Sequence, residues 1–411
     1  MKILIFGGTG KIGSVVAWDL VGDPQLEQIG IVGRNQENLD RTGNWLASSK
    51  VKSHLLDVNR KQEVRQLIKQ YDAAVICLPD RRTDYQIIQA LIEVGKSGVD
   101  VLEEYHRRPD PYETEGLDLP AGQSLNQYGD WLHRQAVQNG VTIIDGIGFA
   151  PGLSNITVNE GINQLDEADS AVARVGGIPS KKSAQNRPLK YMITWAFGHV
   201  LREYMVKVKI LKNGKPAEVE AMEGYETFKF EKLGKKEELE CFITPGMPSF
   251  LYTRSGLKEF AEKTIRWPGH WQGIKTLKKC GLLDLKPVEF NHQPLVPREF
   301  LVSVLEPRLR ADKTDGDVCV MWNTVKGKKN GKGVRIDYYM WEKADTRKKI
   351  SAMSRVTAFP AAIAVRMLAA GKIKEKGIVT PENCLQGEIY YEFMNELRKR
   401  KIKILEEKRI G

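Results

Sequence analysis

Lys2-Ile3-Leu4-Ile5-Phe6-Gly7-Gly8-Thr9-Gly10-Lys11-Ile12-Gly13 is the stretch that decides the fold. It begins as a short apolar strand, passes into a glycine loop and is followed by an apolar helix from Ser14 to Leu20. That order is the context in which a G-x-G-x-x-G loop binds a dinucleotide. Gly8 is expected to allow the tight turn, Gly10 the approach of a pyrophosphate and Gly13 the packing of helix on strand. The first N–H groups of the helix then face the anion. Thr9, Lys11 and Ile12 complete the expected phosphate contacts.

The end of the second strand, Ile29-Gly30-Ile31-Val32, bears on which dinucleotide is bound. NAD enzymes place an acid about 20 residues beyond the glycines to hold the ribose hydroxyls. Here Gly33 stands, followed by Arg34 and Asn35. A missing carboxylate beside a guanidinium suits a 2′-phosphate, so NADP is favoured, with NAD as the alternative if Glu37 reaches the ribose instead.

The chain has 411 residues, 41% of them hydrophobic and 28% charged, long enough for two domains and typical of a globular protein. Its formal charge of +11 comes from dispersed lysines and arginines, with clusters near Lys328-Lys329, Arg347-Lys348-Lys349 and Arg398 to Lys403. They read as solvated faces, so no nucleic-acid partner is expected. The five cysteines show no metal-ligand spacing, and no metal is expected; reduced thiols fit a cytoplasmic protein. The most apolar helix, around Ala361 to Ala370, is interrupted by Arg366, and no membrane partner is expected.

Residues 1–155 alternate apolar strands with amphipathic helices, as a parallel sheet requires: strands at 51–58, 73–78, 99–102 and 141–145 follow the first two. Ligands bind at the carboxyl ends of such strands. The expected cofactor contacts there are Asp57, Val58, Leu78, Pro79, Phe149 and Pro151. The Pro-, Gly- and acid-rich stretch 106–123 reads as an irregular insertion, either a lid or a surface loop. From about residue 165 the pattern becomes strand-rich, with hairpin signals at Asn213-Gly214 and Asn330-Gly331. Helical signals return in 357–370 and in the capped segment 380–399. The reading is α/β: a Rossmann-type parallel sheet in 1–155, an inserted, mainly antiparallel α+β domain for substrate and dimerisation in 156–350, and a C-terminal helical return, 351–411, on the first domain.

Three separated motifs, Gly148-Phe149-Ala150-Pro151-Gly152-Leu153-Ser154-Asn155, Arg266-Trp267-Pro268-Gly269-His270 and Ser351 to Ala362, resemble the saccharopine dehydrogenase family over nearly the whole chain. Within it the likeness is to lysine 6-dehydrogenases, while the turn Gly33-Arg34-Asn35 is similar to that of NADP-linked saccharopine reductases; those reductases carry Asp where this chain has Ala150. The resemblance implies redox chemistry at a carbon–nitrogen bond of an amino acid such as lysine or saccharopine, in a homodimer.

Such chemistry needs a positioned substrate and a proton relay. Glu103 follows the fifth strand and is the first candidate base; the alternative is that it anchors the insertion. His270 is the second, or it stabilises its corner. Glu104, Tyr105, Ser154, Asn155, Arg266 and Arg355 are candidate substrate contacts, the arginines for a carboxylate. A dinucleotide-binding sensor or structural protein without catalysis remains the alternative from another class.

Overall fold

The chain begins with β1 (Lys2–Phe6), α1 (Gly13–Val21), β2 (Gln28–Gly33), α2 (Gln36–Leu46), β3 (Val51–Leu55) and α3 (Lys61–Ile68). It continues with β4 (Ala73–Ile76), α4 (Arg81–Glu93), β5 (Ser97–Asp100), α5 (Leu125–Gln138), β6 (Thr142–Ile144) and α6 (Leu153–Asn163). The strand-rich middle holds β7 (Glu167–Pro179), α7 (Lys181–Gln185), α8 (Phe197–Glu203), β8 (Lys207–Lys212), β9 (Lys215–Glu220), β10 (Glu226–Phe230), β11 (Glu237–Ile243) and α9 (Phe250–Thr253). Then come β12 (Glu259–Arg266), α10 (His270–Lys279), β13 (Val288–Phe290), β14 (Gln293–Leu295), α11 (Pro297–Leu309), β15 (Asp317–Lys329) and β16 (Lys332–Lys343). The last elements are α12 (Ala352–Ala369), β17 (Gly377–Val379), α13 (Pro381–Cys384), α14 (Gly387–Lys399) and β18 (Ile404–Ile410).

This computed structural model describes residues 1–110, 114, 116–312 and 315–411. The chain divides into two units: the first is Met1–Asn159, Met247–Thr253 and Ser354–Ile402, the second Glu160–Gly246, Arg254–Met353 and Lys403–Gly411.

The first unit is built on a seven-stranded sheet in the order β17-β6-β5-β4-β1-β2-β3, with every pair parallel. Its central strands are apolar on both faces because helices cover both; Ile3 to Phe6 and Ala73 to Ile76 are buried throughout. The helices begin where polar side chains satisfy the first N–H groups. Asp80 accepts from Arg82 N at the start of α4, and Ser124 and Gln127 form a capping box on α5. The chain leaves β1 toward β2 on one side and β4 on the other, so the crevice of a doubly wound sheet opens at the carboxyl end of β1.

The second unit carries a nine-stranded sheet, β10-β11-β12-β7-β15-β16-β18 with β8 and β9 attached at β12, and every pair but β12–β7 is antiparallel. Both expected Asn-Gly hairpins form: Asn213-Gly214 joins β8 to β9 and Asn330-Gly331 joins β15 to β16, all four residues at positive φ.

Several boundaries differ from the expectation. The return segment 351–411 divides, because residues beyond Ile402 form β18, which pairs with β16 from Val334–Ile410 to Met340–Ile404. The expected helix over 380–399 is broken into α13 and α14, since Gly387 takes φ +56. The third strand ends at Leu55 rather than 58, which leaves Asp57 and Val58 in the loop beyond it. In the insertion 106–123, residues 111–113 and 115 lie outside the described residues, and the rest forms no helix or strand. Helix α12 is long and apolar enough to cross a membrane, yet 78% of it is buried, as in a core helix.

Candidate cofactor and active site

The residues expected to hold the pyrophosphate follow the carboxyl end of β1. The turn differs in one detail: Gly7, not Gly8, takes the positive φ, +71, and a Cβ there would lie 2.3 Å from the Cys77 carbonyl oxygen. Gly13 has the packing role, because a Cβ would stand 2.4 Å from the oxygen of Gly7. The loop is closed by Gly10 N–H donating to Gly7 O at 2.9 Å and Ser14 N–H to Gly10 O at 3.0 Å. The N–H groups of Thr9, Lys11 and Ile12 find no acceptor among the described residues. Unused donors at the start of α1 form an anion cradle, which fits a pyrophosphate.

At the end of β2, Gly33 sits in a tight place, where a Cβ would meet the Thr9 side chain at 3.0 Å and Leu39 at 3.3 Å. The place where an acid would hold the ribose hydroxyls is thus taken by a closely packed glycine. Arg34 is exposed and makes no hydrogen bond or ion pair among the described residues. Asn35, expected as a cofactor contact, caps α2 instead, with Oδ1 accepting from Asn38 N at 2.8 Å. Asp57 Oδ1 accepts from Asn59 N and Nδ2, both at 3.0 Å, within the loop beyond β3. Leu78 and Pro79 follow β4 and are half-buried and exposed.

The segment after β5 separates the two neighbouring acids. Glu103 is half-buried, and its carbonyl accepts from Arg81 Nη2 at 2.9 Å. Glu104 is buried and accepts from Arg81 Nε at 3.1 Å, Tyr85 Oη at 3.0 Å and Asp110 N at 3.1 Å. It is a structural anchor rather than the substrate contact expected of it, because its carboxylate is enclosed by donors of its own unit. Tyr105, also buried, packs its ring 5.8 Å from that of Tyr252.

Beyond β6, Phe149 and Pro151 are buried in the turn that leads into α6. Ser154 and Asn155 are wholly buried. Asn155 accepts from Gly152 N at 3.0 Å and donates to Ser249 Oγ at 3.2 Å and Glu382 Oε2 at 3.0 Å, while Ser154 Oγ lies 3.1 Å from Met247 Sδ. These bonds hold the start of α6 in place. Arg355, on α12, is half-buried with Nη2 3.5 Å from Arg400 O.

Arg266 and His270 belong to the second unit and are brought together there. His270 is buried, with Nδ1 2.9 Å from Leu189 O and Nε2 3.1 Å from Tyr204 Oη. Burial and the adjacent Arg266 push its pKa down to about 3, so it stays neutral. With both nitrogens engaged, it stabilises the corner and is not the general base that the sequence allowed. Arg266 Nε donates to Tyr204 Oη at 3.1 Å and Nη1 to Ile265 O at 2.9 Å, whereas Nη2 makes no hydrogen bond among the described residues. Tyr204, itself held by His270, thus orients the Arg266 guanidinium.

A buried cluster beneath the β5–β6 end was missed from sequence. His106 presents Nδ1 to Asp145 Oδ1 at 2.7 Å and Nε2 to Asp84 Oδ2 at 3.0 Å, and its N–H donates to Asp145 Oδ2 at 2.9 Å. The available signal was local: Arg81 and Asp84 stand among the apolar positions of α4 that the core buries, Tyr85, Ile88, Leu91 and Ile92.

A nucleotide cradle on a doubly wound sheet, with an inserted antiparallel unit, defines a dinucleotide-dependent oxidoreductase. The chain belongs to the saccharopine dehydrogenase family: the profile of the saccharopine dehydrogenase NADP-binding domain matches residues 3–144, and that of the C-terminal domain matches residues 148–402. It is similar to a carboxyaminopropylagmatine dehydrogenase of Synechocystis, 23% identical and covering 93% of this chain and 92% of the relative. It is 24% identical to the Saccharomyces cerevisiae saccharopine dehydrogenase [NADP(+), L-glutamate-forming] over 42% of this chain and 40% of the yeast one. The apo structure of the yeast L-glutamate-forming enzyme shares the fold, with a TM-score of 0.78 at 17% identity over 99% of each chain.

Proposed function

We propose that this oxidoreductase prefers NADP(H) and transfers hydride at a carbon–nitrogen bond of an amino acid of the lysine or saccharopine type. The observation that carries the cofactor choice is the pairing of Gly33, which supplies no acid, with an exposed Arg34 that has no partner among the described residues, beside a cradle of unused N–H donors. When bound, NADP supplies hydride exchange at its nicotinamide ring. Thr9, Lys11 and Ile12 hold the pyrophosphate through their backbone, and Arg34 holds the 2′-phosphate with charge-assisted bonds. Glu103 takes the proton released at the substrate nitrogen. Arg266 offers Nη2 to a carboxylate, and Arg355 is a second candidate for that contact. The names of the matched relatives, a saccharopine and a carboxyaminopropylagmatine dehydrogenase, support a substrate with a substituted amine.

Assembly as a homodimer through the second unit is part of the proposal. It is supported by the exposed Leu285, Val288, Phe290 and Phe300 on and around the β13–β14 hairpin. Five free thiols suit a reducing, cytoplasmic setting. The test is absorbance of reduced nicotinamide with a panel of saccharopine-type compounds, other N-substituted amino acids and free lysine, using both cofactors. Turnover of a substituted amine with NADP is expected. Release of ammonia from lysine with NAD would replace this reading by a lysine 6-dehydrogenase, and no turnover with any pair would favour a non-catalytic sensor.

A further inference from the structure

The cluster around His106 has more carboxylates than cations. Asp84, Asp100 and His106 are wholly buried, and one oxygen from each acid and one imidazole nitrogen lie within 4.8 Å of one another. His106 is the cation at their centre, between Asp145 and Asp84. The nearby Arg81, from α4, is committed to Glu104. Tyr85, also on α4, donates to Glu104, and Cys77, beyond β4, is a half-buried neutral thiol. Asp100 Oδ1 accepts from Leu102 N at 3.0 Å, but Asp100 Oδ2 and Asp84 Oδ1 have no hydrogen-bond partner among the described residues. Two acceptors without a donor, in one enclosed cluster, lack a proton.

We infer that Asp100 is protonated in the fold and supplies the hydroxyl donor that this cluster lacks, leaving Asp84 and Asp145 to balance a charged His106. Asp100 is the acid to take the proton because it has no cationic partner of its own. Burial first, and Asp84 beside it, hold its carboxyl well above the usual range; burial opposes the charge on His106, but Asp145 and Asp84 outweigh it. The arrangement has a purpose at the cofactor end of the sheet. Asp100 and His106 bracket residues 101–105, which carry Glu103, and Asp100 O also accepts from Ile147 N at 2.7 Å in the turn after β6. His106 is therefore a positioning residue: its bonds to Asp145 tie the segments after β5 and β6 together, with Asp100 beside it at the end of β5. The inference rests on the fold and not on the identity of the substrate.

Asp100→Asn, an uncharged isostere, tests it. An acid whose folded pKa is raised favours the fold fully below its unfolded pKa of about 3.9, and that advantage is lost as pH rises to the folded value. Asparagine does not titrate. The melting temperature of D100N relative to wild type should therefore climb as pH rises above about 4 and level off beyond the folded pKa. NADPH affinity, read by fluorescence titration at pH 7, should stay within about threefold of wild type. Asp84→Asn removes an anion from His106 and should lower the melting temperature by several degrees at neutral pH. A pH-independent difference between D100N and wild type, D100N and D84N that melt alike, a D100N chain that does not fold, or a stoichiometric divalent metal in the purified protein would each overturn the inference.

Discussion

The glycine loop and the Arg266–His270 corner are both compact motifs of the kind that catalyse or bind, yet the fold treats them differently. In the loop, Gly7 and Gly13 allow close backbone approach while Thr9, Lys11 and Ile12 keep their N–H groups unused. At the corner, His270 has both ring nitrogens engaged, and Arg266 Nη2 makes no hydrogen bond among the described residues. A residue's chemical type is therefore a weaker guide to function than the hydrogen-bonding capacity that the fold leaves unused. Glu104 repeats the lesson, since three donors enclose its carboxylate.

The comparison is broken most forcefully at Gly13. Gly13→Val places a side chain 2.4 Å from the Gly7 carbonyl and should cost NADPH at least about a hundredfold in affinity or prevent folding altogether. Wild-type binding in a fluorescence titration would show that the loop is not the cradle. His270→Phe comes next, with an expected loss of about 2–4 kcal/mol in stability from two buried hydrogen bonds. Because the pKa of His270 falls from 6.5 to about 3, its contribution is full above pH 6.5 and fades as pH drops toward 3. Urea unfolding at several pH values should show the gap between wild type and H270F closing on the acid side. Loss of turnover without loss of stability would restore His270 as a base. The smallest effect is expected from Asn35→Ala, which removes the α2 cap for about 1 kcal/mol; a denaturant midpoint that does not move would deny that the cap matters.

What was legible in the sequence follows the same division. The Rossmann half could be read because its signals are local: β1, the glycine loop and α1 are contiguous, and apolar runs name the buried strands. The Asn-Gly hairpins were equally plain. The His106 cluster could not be assembled that way, because its partners Asp84 and Asp145 are 22 and 39 residues distant. Asn155 and His270 were assigned from motif context, and their roles were decided by partners such as Glu382, 227 residues away, and Tyr204, 66 away. The division of the C-terminal return between α14 and β18 depended on the edge that β16 offers, a feature of tertiary structure.

Arg34→Ala tests most directly whether the hydrogen-bonding capacity at the ends of β1 and β2 selects a phosphorylated dinucleotide. A charge-assisted contact of about 1.5–3 kcal/mol corresponds to roughly ten- to hundredfold in affinity. Titrating NADPH and NADH against wild type and R34A should show wild-type preference for NADPH, a loss of that order for NADPH in the variant and almost no change for NADH. Equal losses for the two cofactors, or a wild-type protein that binds NADH more tightly, would contradict the account.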